Sequence, residues 1–460
     1  MSWPKRLISS FYFLLFIFVP LVWLSNTSEL FEFNKLILTY VLTTLIVGTW
    51  AIRCILEKKF IFKHTLLDWP ILIFLITQSL SLLFSIDPHV SWFGYYSRWN
   101  GGLLSLLSYS LLYWAFVSNM DSKSALRAVH CALWSAAVVA IYGSLEHFGV
   151  SVSCLLTTGS FNVSCWVQDV QTRIFATLGQ PNWLAAYIVA LIFVPLSYLT
   201  PFRSPSPKLG EGLGVRYWTN LGIFISLFLT LLFTKSRSGL LAFGISSIVF
   251  WCLSLGKLEI RSIRNFIILN SLFLILVLLV PNPIRDLVLP STQPLAPSTG
   301  PALESGGTES GTIRKIVWTG ALRIWQANPK NFLIGTGPET FAQAYYQYRP
   351  LEHNQTSEWE LLYNKAHNEF LNYLATTGIL GLGSYIVLLI AMARVFQISN
   401  FNFQIALFAG WASIIVTNFW GFSVVIMQLL LFLLPATAIV IEDGEQSPER
   451  SRRAKSNHDK

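Results

Sequence analysis

The chain has 460 residues, of which 53% are hydrophobic, 15% aromatic and only 12% charged, with a formal net charge of +9. That composition excludes a soluble fold, and apolar runs without period-two alternation exclude an outer-membrane barrel. Lys and Arg fall in small clusters between apolar runs instead of forming one basic face, so the charge marks membrane topology and no nucleic-acid partner is expected.

Apolar runs at about 7–24, 36–52, 66–86, 101–118, 125–147, 183–200, 219–233, 239–255, 265–281, 369–394, 403–420 and 423–441 predict an all-α, polytopic membrane bundle of about twelve transmembrane helices. The first run follows Lys5-Arg6 in the manner of a signal peptide but lacks a small-residue cleavage site, so it is read as a spanning helix. With the N-terminus inside, twenty Lys and Arg fall in cytoplasmic segments, against Lys35, Arg98, Arg173, Lys235 and Arg237 in the short outer loops. Both termini are therefore expected in the cytoplasm, with residues 442–460 as a basic tail.

The chain divides into nine helices over 1–281, an outer loop over 282–367 and three helices over 368–441. The loop opens with a Pro/Ser/Thr/Gly-rich linker, 290–311, too poor in apolar residues to pack. Then Ile313, Ile316, Val317, Leu322, Ile324 and Trp325 recur at helical spacing, predicting an amphipathic helix that lies on the outer membrane face or caps the bundle. Cys154 and Cys165 share one polar loop and form the only disulfide candidate if that loop is outside the cytoplasm. Neither a CxxC nor a Cys/His cluster occurs, and no metal or cofactor is expected.

The spans carry almost no ionisable groups, and His130 reads as a packed histidine, which disfavours proton-coupled transport. Polar residues gather instead at three outer helix ends. The first is Arg173 followed by Gly179-Gln180-Pro181-Asn182, where Pro181 starts a helix and Gln180 and Asn182 can satisfy its free backbone groups. The second is Thr234 to Gly239, a turn between short spans in which Lys235 and Arg237 require an anionic partner and Ser236, Ser238 and helix amides can add donors. The third is His367-Asn368-Glu369, where an imidazole at a membrane boundary can exchange a proton near neutral pH.

Together, in this order, these segments resemble the O-antigen ligase and O-antigen polymerase family of bacterial glycan-transfer proteins. The resemblance extends to Arg323-Ile324-Trp325, to Gly335-Thr336-Gly337-Pro338-Glu339-Thr340-Phe341 with Tyr345, and to the run from His367 through Gly378 and Gly381; Gln180 departs from the family's Asn-Pro-Asn pattern. It implies a C-type glycosyltransferase-like fold in the bacterial inner membrane, with a periplasmic loop over the site and no cofactor. The implied donor is an undecaprenyl-diphosphate-linked glycan, and the acceptor is a lipid, glycan or protein hydroxyl. By that resemblance His367 is the base, Arg237 and Arg314 or Arg323 hold the diphosphate, and Arg173 is a further partner.

The chemistry requires only cations to steady the departing diphosphate and one base, with direct displacement inverting the anomeric carbon. The expected binding groups are thus Arg173, Asn182, Lys235, Arg314, Arg323, Asn368 and Glu339, around catalytic His367 and Arg237. Glu339 and Glu369 are the only acids in these motifs and read as orienting groups, a two-carboxylate metal site being the alternative. Ligase, polymerase and protein O-oligosaccharyltransferase remain open, as does a lipid-linked glycan flippase using the same basic site.

Overall fold

A computed structural model describes residues 2–200, 213–254, 260–288, 310–396 and 402–458. The expected linker at 290–311 falls outside them except for its last two residues, as do Arg203, Lys208, Lys257 and Lys460 of the charge pattern. The described residues form helices and no strand. The first half holds α1 (Trp3–Phe18), α2 (Glu32–Leu56), α3 (Asp68–Leu83), α4 (Pro88–Phe93), α5 (Leu103–Asn119), α6 (Ser122–His147), α7 (Val152–Thr158) and α8 (Pro181–Leu199). Then come α9 (Leu213–Phe233), α10 (Arg237–Ser254), α11 (Ile260–Leu279), α12 (Pro283–Val288), α13 (Ser310–Gln326), α14 (Pro329–Ile334), α15 (Phe341–Tyr348), α16 (Glu369–Val395), α17 (Asn402–Phe419) and α18 (Val425–His458).

Among the described residues, six helices are long and apolar enough to cross a membrane: α2, α6, α8, α10, α16 and the first part of α18. Shorter apolar helices occupy α3, α5 and the apolar parts of α9, α11 and α17. Exposed Ile37, Val41, Leu45 and Ile52 on α2, and Ile379, Ile386, Val387 and Ile390 on α16, recur at spacings that keep each set on one helix face. Continuous exposed apolar stripes of this kind suit a hydrocarbon solvent and would not be tolerated in water. The protein is therefore a multi-pass membrane bundle.

Helix α8 is buried almost throughout and is the central post, packed against α9, α10 and α17. Gly410 of α17 lies against the Ala190 carbonyl of α8, so close that a Cβ would come within 2.1 Å of that oxygen. Small residues let membrane helices approach in this way.

At one end of the bundle the connections fuse into a single crust. Lys35 donates to the carbonyls of Val22 and Thr177, at 3.0 and 2.7 Å. Glu146 accepts from Ser151 and the Ala176 amide, and a Cys154–Cys165 disulfide closes the loop between α6 and α8. The sequence pattern singled out that pair. It counted Lys35 only as an outer-loop charge and did not single out Glu146, yet both lie at span ends and hold loops in place.

The crust is locked to α16 at a kink. Gly378 has φ 65°, which frees the Thr376 carbonyl from helical bonding, and that oxygen accepts from the Gly337 amide at 2.7 Å and the Ser81 hydroxyl at 3.1 Å. A Cβ on Gly335 would lie 2.2 Å from the Thr376 carbonyl carbon, and one on Gly378 would lie 2.4 Å from the Leu333 carbonyl carbon. Two glycines in left-handed conformations therefore permit backbone-to-backbone contact between the outer loop and the kink.

Helix α13 forms as expected but packs differently from a helix lying flat on lipid. Its buried residues are Ile313, Val317, Ala321 and Ile324, and they join Phe341, Ala344, Tyr345, Ala366 and Ala375 in a small core. Leu322, assigned to the apolar face, is exposed, and Ala321 takes its place. The helix caps the bundle through a narrow apolar stripe.

Candidate active site

His367 is held at the joint between the outer loop and α16. Its backbone is in the left-handed region at φ 50°, a strained conformation for a residue with a Cβ. Asn368 caps α16, its side-chain oxygen accepting from the Leu371 amide at 3.0 Å. That oxygen is committed to the helix, and the expectation that Asn368 binds substrate rests on its amide nitrogen. The His367 ring packs edge-on between Tyr363 and Phe422, with centroids 5.3 and 5.4 Å away. Among the described residues no protein hydrogen bond holds its nitrogens. Burial, and then the charges of Arg314 and Arg98, pull its pKa down to about 3. The imidazole is neutral at physiological pH and free to accept a proton.

On one side of His367 lie the cations singled out from sequence. Arg314 on α13 is half-buried and senses both His367 and Arg237. Arg237 is exposed at the first residue of α10. Lys235 precedes it at φ 49°, and Arg173 donates through Nε to the Thr234 carbonyl at 3.4 Å. The turn is built differently from expectation. Ser236 donates to Asn182 Oδ1 at 2.7 Å and accepts from the Gly239 amide at 3.1 Å, so it caps α10 instead of waiting for a ligand. Pro181 opens α8 as predicted, but Gln180 makes no side-chain cap bond and Asn182 binds the neighbouring turn.

Arg323 does not join this group. It lies nine residues after Arg314, roughly two and a half helical turns, so the two side chains leave opposite faces of α13. Arg323 is exposed and acts on Tyr345, whose hydroxyl pairs with His353 in the interior of the loop. Of the two alternatives for the second arginine, the structure brings Arg314 to His367.

Around Phe422, which also packs on His367, only Glu339 was among the expected binding groups. Arg98, counted only as an outer-loop charge, lies with its guanidinium carbon 4.9 Å from the Trp183 ring and 5.2 Å from Phe422. Burial lowers its pKa, opposed by the carboxylates Glu32, Glu29 and Glu339. Lys365 pairs with Glu339 and has Phe422 5.8 Å from its ammonium. Glu339 is buried at φ 61° and presses against Gly101, where a Cβ would lie 2.2 Å from the carboxylate.

Phe422 thus joins both sides, and two more carboxylates fix the segment that carries it. Glu369 accepts from the Ser423 amide at 3.3 Å, and Glu32 accepts from the Val425 amide at 2.7 Å, at the start of α18. Carboxylates at free helix amides are favourable in both hydrogen bonding and dipole terms. Glu369 is therefore an orienting group, and the two-carboxylate metal alternative gains no support: a lysine ammonium pairs with Glu339. Among the described residues no group of three or more His, Cys, Asp or Glu converges on a metal-sized point.

Residues 222–386 match the family model described as O-antigen ligase. The matched stretch runs from α9 into α16 and contains the Thr234–Gly239 turn, Arg314 and His367. It supports the O-antigen ligase family for this chain and, with the apolar helices, glycan transfer at a membrane. None of the curated proteins matches the chain.

Proposed function

We propose, with an O-antigen ligase-type membrane domain as the premise, that this protein is an inverting glycosyltransferase. It takes a glycan from undecaprenyl diphosphate and transfers it to an acceptor hydroxyl. The observation that carries the reading is a neutral His367 beside an arginine pair, Arg314 and Arg237, neither of which makes an ion pair with a carboxylate among the described residues. Glu358, whose charge acts on Arg314, already accepts from the Tyr363 hydroxyl.

In the proposed reaction Arg314, Arg237 and Lys235 bind the diphosphate oxygens, where guanidinium groups match phosphate geometry. His367 takes the proton from the acceptor oxygen as that oxygen attacks the anomeric carbon. The carbon–oxygen bond to the diphosphate breaks, and the leaving charge stays on phosphate beside the cations. Binding of the anion offsets the repulsion that Arg314 imposes on a protonated imidazole, so the base strengthens when donor is present. Arg173 and Asn182 act behind the turn as positioning residues.

The site belongs to the same end of the bundle as the Cys154–Cys165 disulfide. Disulfides persist in oxidising compartments, which supports a site facing the periplasm, an inner-membrane location and cytoplasmic termini. The test is reconstitution of purified protein with labelled undecaprenyl-diphosphate glycan and candidate acceptors. A new glycosidic product that disappears with His367→Ala is expected. Relocation of the carrier without bond change would replace the transferase with a flippase, and full turnover by His367→Ala would remove the base.

A further inference from the structure

A histidine that takes a proton from a fixed direction is ordinarily aimed by a hydrogen bond to one of its ring nitrogens. His367 has no such bond among the described residues. Its ring is held by edge-to-face contact with Tyr363 and Phe422, at centroid distances of 5.3 and 5.4 Å. Rings that aim another ring must themselves be fixed.

The Tyr363 hydroxyl donates to Glu358 Oε2. Burial, and then that bond, keep the Tyr363 pKa well above the ordinary phenol value, so the hydroxyl stays protonated and remains a donor. Glu358 is buried, and its backbone is pinned at both polar groups. Its amide donates to Thr356 Oγ1 at 3.3 Å, and its carbonyl accepts from the Leu361 amide at 3.0 Å and from His353 Nε2 at 3.2 Å. A carbonyl only accepts, so His353 carries its hydrogen on Nε2. Burial lowers the His353 pKa and keeps the ring neutral, which leaves Nδ1 to accept from the Tyr345 hydroxyl at 2.7 Å. Tyr345 lies beneath Gly320 of α13, where a Cβ would come within 2.3 Å of its ring. The series Tyr345, His353, Glu358, Tyr363 thus runs from the core under α13 to the ring of His367.

Ending that series on a ring has an electrostatic consequence. A carboxylate bonded directly to an imidazole stabilises the imidazolium and raises its pKa. Here the carboxylate stops at the tyrosine hydroxyl, and the charges that act on His367 are those of Arg314 and Arg98. Phe422 is fixed in a parallel way, since Glu369 and Glu32 accept from the Ser423 and Val425 amides of its segment. Carboxylates therefore anchor both rings without contacting the imidazole.

We infer that Tyr363 is a positioning residue for His367, and that its bond to Glu358 sets the direction in which the imidazole meets the acceptor's proton. This rests on the glycan-transfer reading above and extends it from the base to the groups that aim it.

The experiment uses full-length protein in lipid bilayers and two readouts. The first needs no turnover: solid-state NMR of protein labelled at the histidine rings, with the His367 signal assigned by its loss in His367→Ala. Tyr363→Phe keeps the ring and removes its anchor, so the dipolar order of the His367 Cε1–H bond is expected to fall. The second is transfer from labelled undecaprenyl-diphosphate glycan with candidate acceptors in excess. Tyr363→Phe should lower kcat about tenfold, as for a misplaced catalytic group, and leave the donor KM within about twofold. Glu358→Ala should lower kcat equally, and adding Tyr363→Phe to it should cost nothing further, because both break one bond. Glu358→Gln keeps an oxygen to accept that bond and should recover most of the loss. Both Glu358 variants remove the charge that acts on Arg314, so the difference between them reads the hydrogen bond alone. If Glu358→Ala fails to insert, Tyr363→Phe and Glu358→Gln still decide.

Unchanged ring order in Tyr363→Phe overturns the inference. So do equal losses of kcat in Glu358→Gln and Tyr363→Phe, or a donor KM that rises while kcat holds. Turnover retained by His367→Ala removes the base itself, whereas turnover lost in His367→Ala and kept in full by Tyr363→Phe removes only the positioning role.

Discussion

The two sides of His367 are both rich in charge but differ in its arrangement. On the α10–α13 side, Arg237 is exposed and Arg314 half-buried, with repulsion between them, and Glu358, whose charge acts on Arg314, accepts from Tyr363. On the Arg98 side, cations and carboxylates interleave, the Lys365–Glu339 pair is buried, and single atoms of Arg98, Glu32 and Glu339 remain unpaired. Excess charge of one sign suits a diphosphate. Balanced charge packed around so little space suits a polar joint that fixes the segments carrying it. A basic site and a polar joint are thus distinguished by what their charges still lack.

The largest expected effect tests the residue between them. His367→Ala should reduce transfer by roughly 10²–10⁴-fold, the usual range for loss of a general base, with helical content and insertion unchanged. Retained turnover in a reconstituted assay would leave both sides without a reaction to serve.

Arg314→Gln should come next, lowering kcat/KM for the lipid-linked donor by about 10–100-fold, equivalent to about 1.4–2.8 kcal/mol. It should also alter pH dependence. A base works in its neutral form, so activity is lost as pH falls through its pKa. With His367 held at about 3 in the free enzyme, the wild type should show no acid limb in kcat/KM near pH 6.5 attributable to this residue. Removing the Arg314 charge removes one lowering cause and should move the limb toward neutrality; an unmoved limb would detach Arg314 from the base.

A stability effect should follow from the lock beneath both sides. Gly378→Ala places a methyl group against the Leu333 backbone at a left-handed residue and should destabilise the protein by about 1–3 kcal/mol, read as a fall in Tm. The smallest effect belongs to Arg323→Gln, expected to leave donor kinetics within twofold. A loss matching that of Arg314→Gln would erase the distinction between the faces of α13.

Much of the candidate site was legible because membrane solvent makes charge rare. Arg173, Lys235, Arg237 and His367 stood out against apolar runs, and the structure gathers them at one end of the bundle. Arg314 and Arg323 could have been separated by counting nine residues along one helix, a signal already present in the sequence. Arg98 could not be ranked above other outer-loop charges, because its importance comes from Trp183 and Phe422, which are 85 and 324 positions away in the chain. Gly335 and Gly378 were both visible as motif glycines, but nothing local shows that they occupy left-handed conformations to let two backbone segments touch.

By itself the sequence determined the solvent, the helical architecture, the apolar runs and the candidate cysteine pair, because hydrophobic length and charge scarcity are properties of contiguous residues. Tertiary structure alone decided which arginine reaches the imidazole, that Ser236 and Asn368 are caps, and that Glu32, Arg98 and Glu339 converge. These depend on contacts between distant segments and on which polar atoms remain unpaired after folding, and one-dimensional spacing does not encode either.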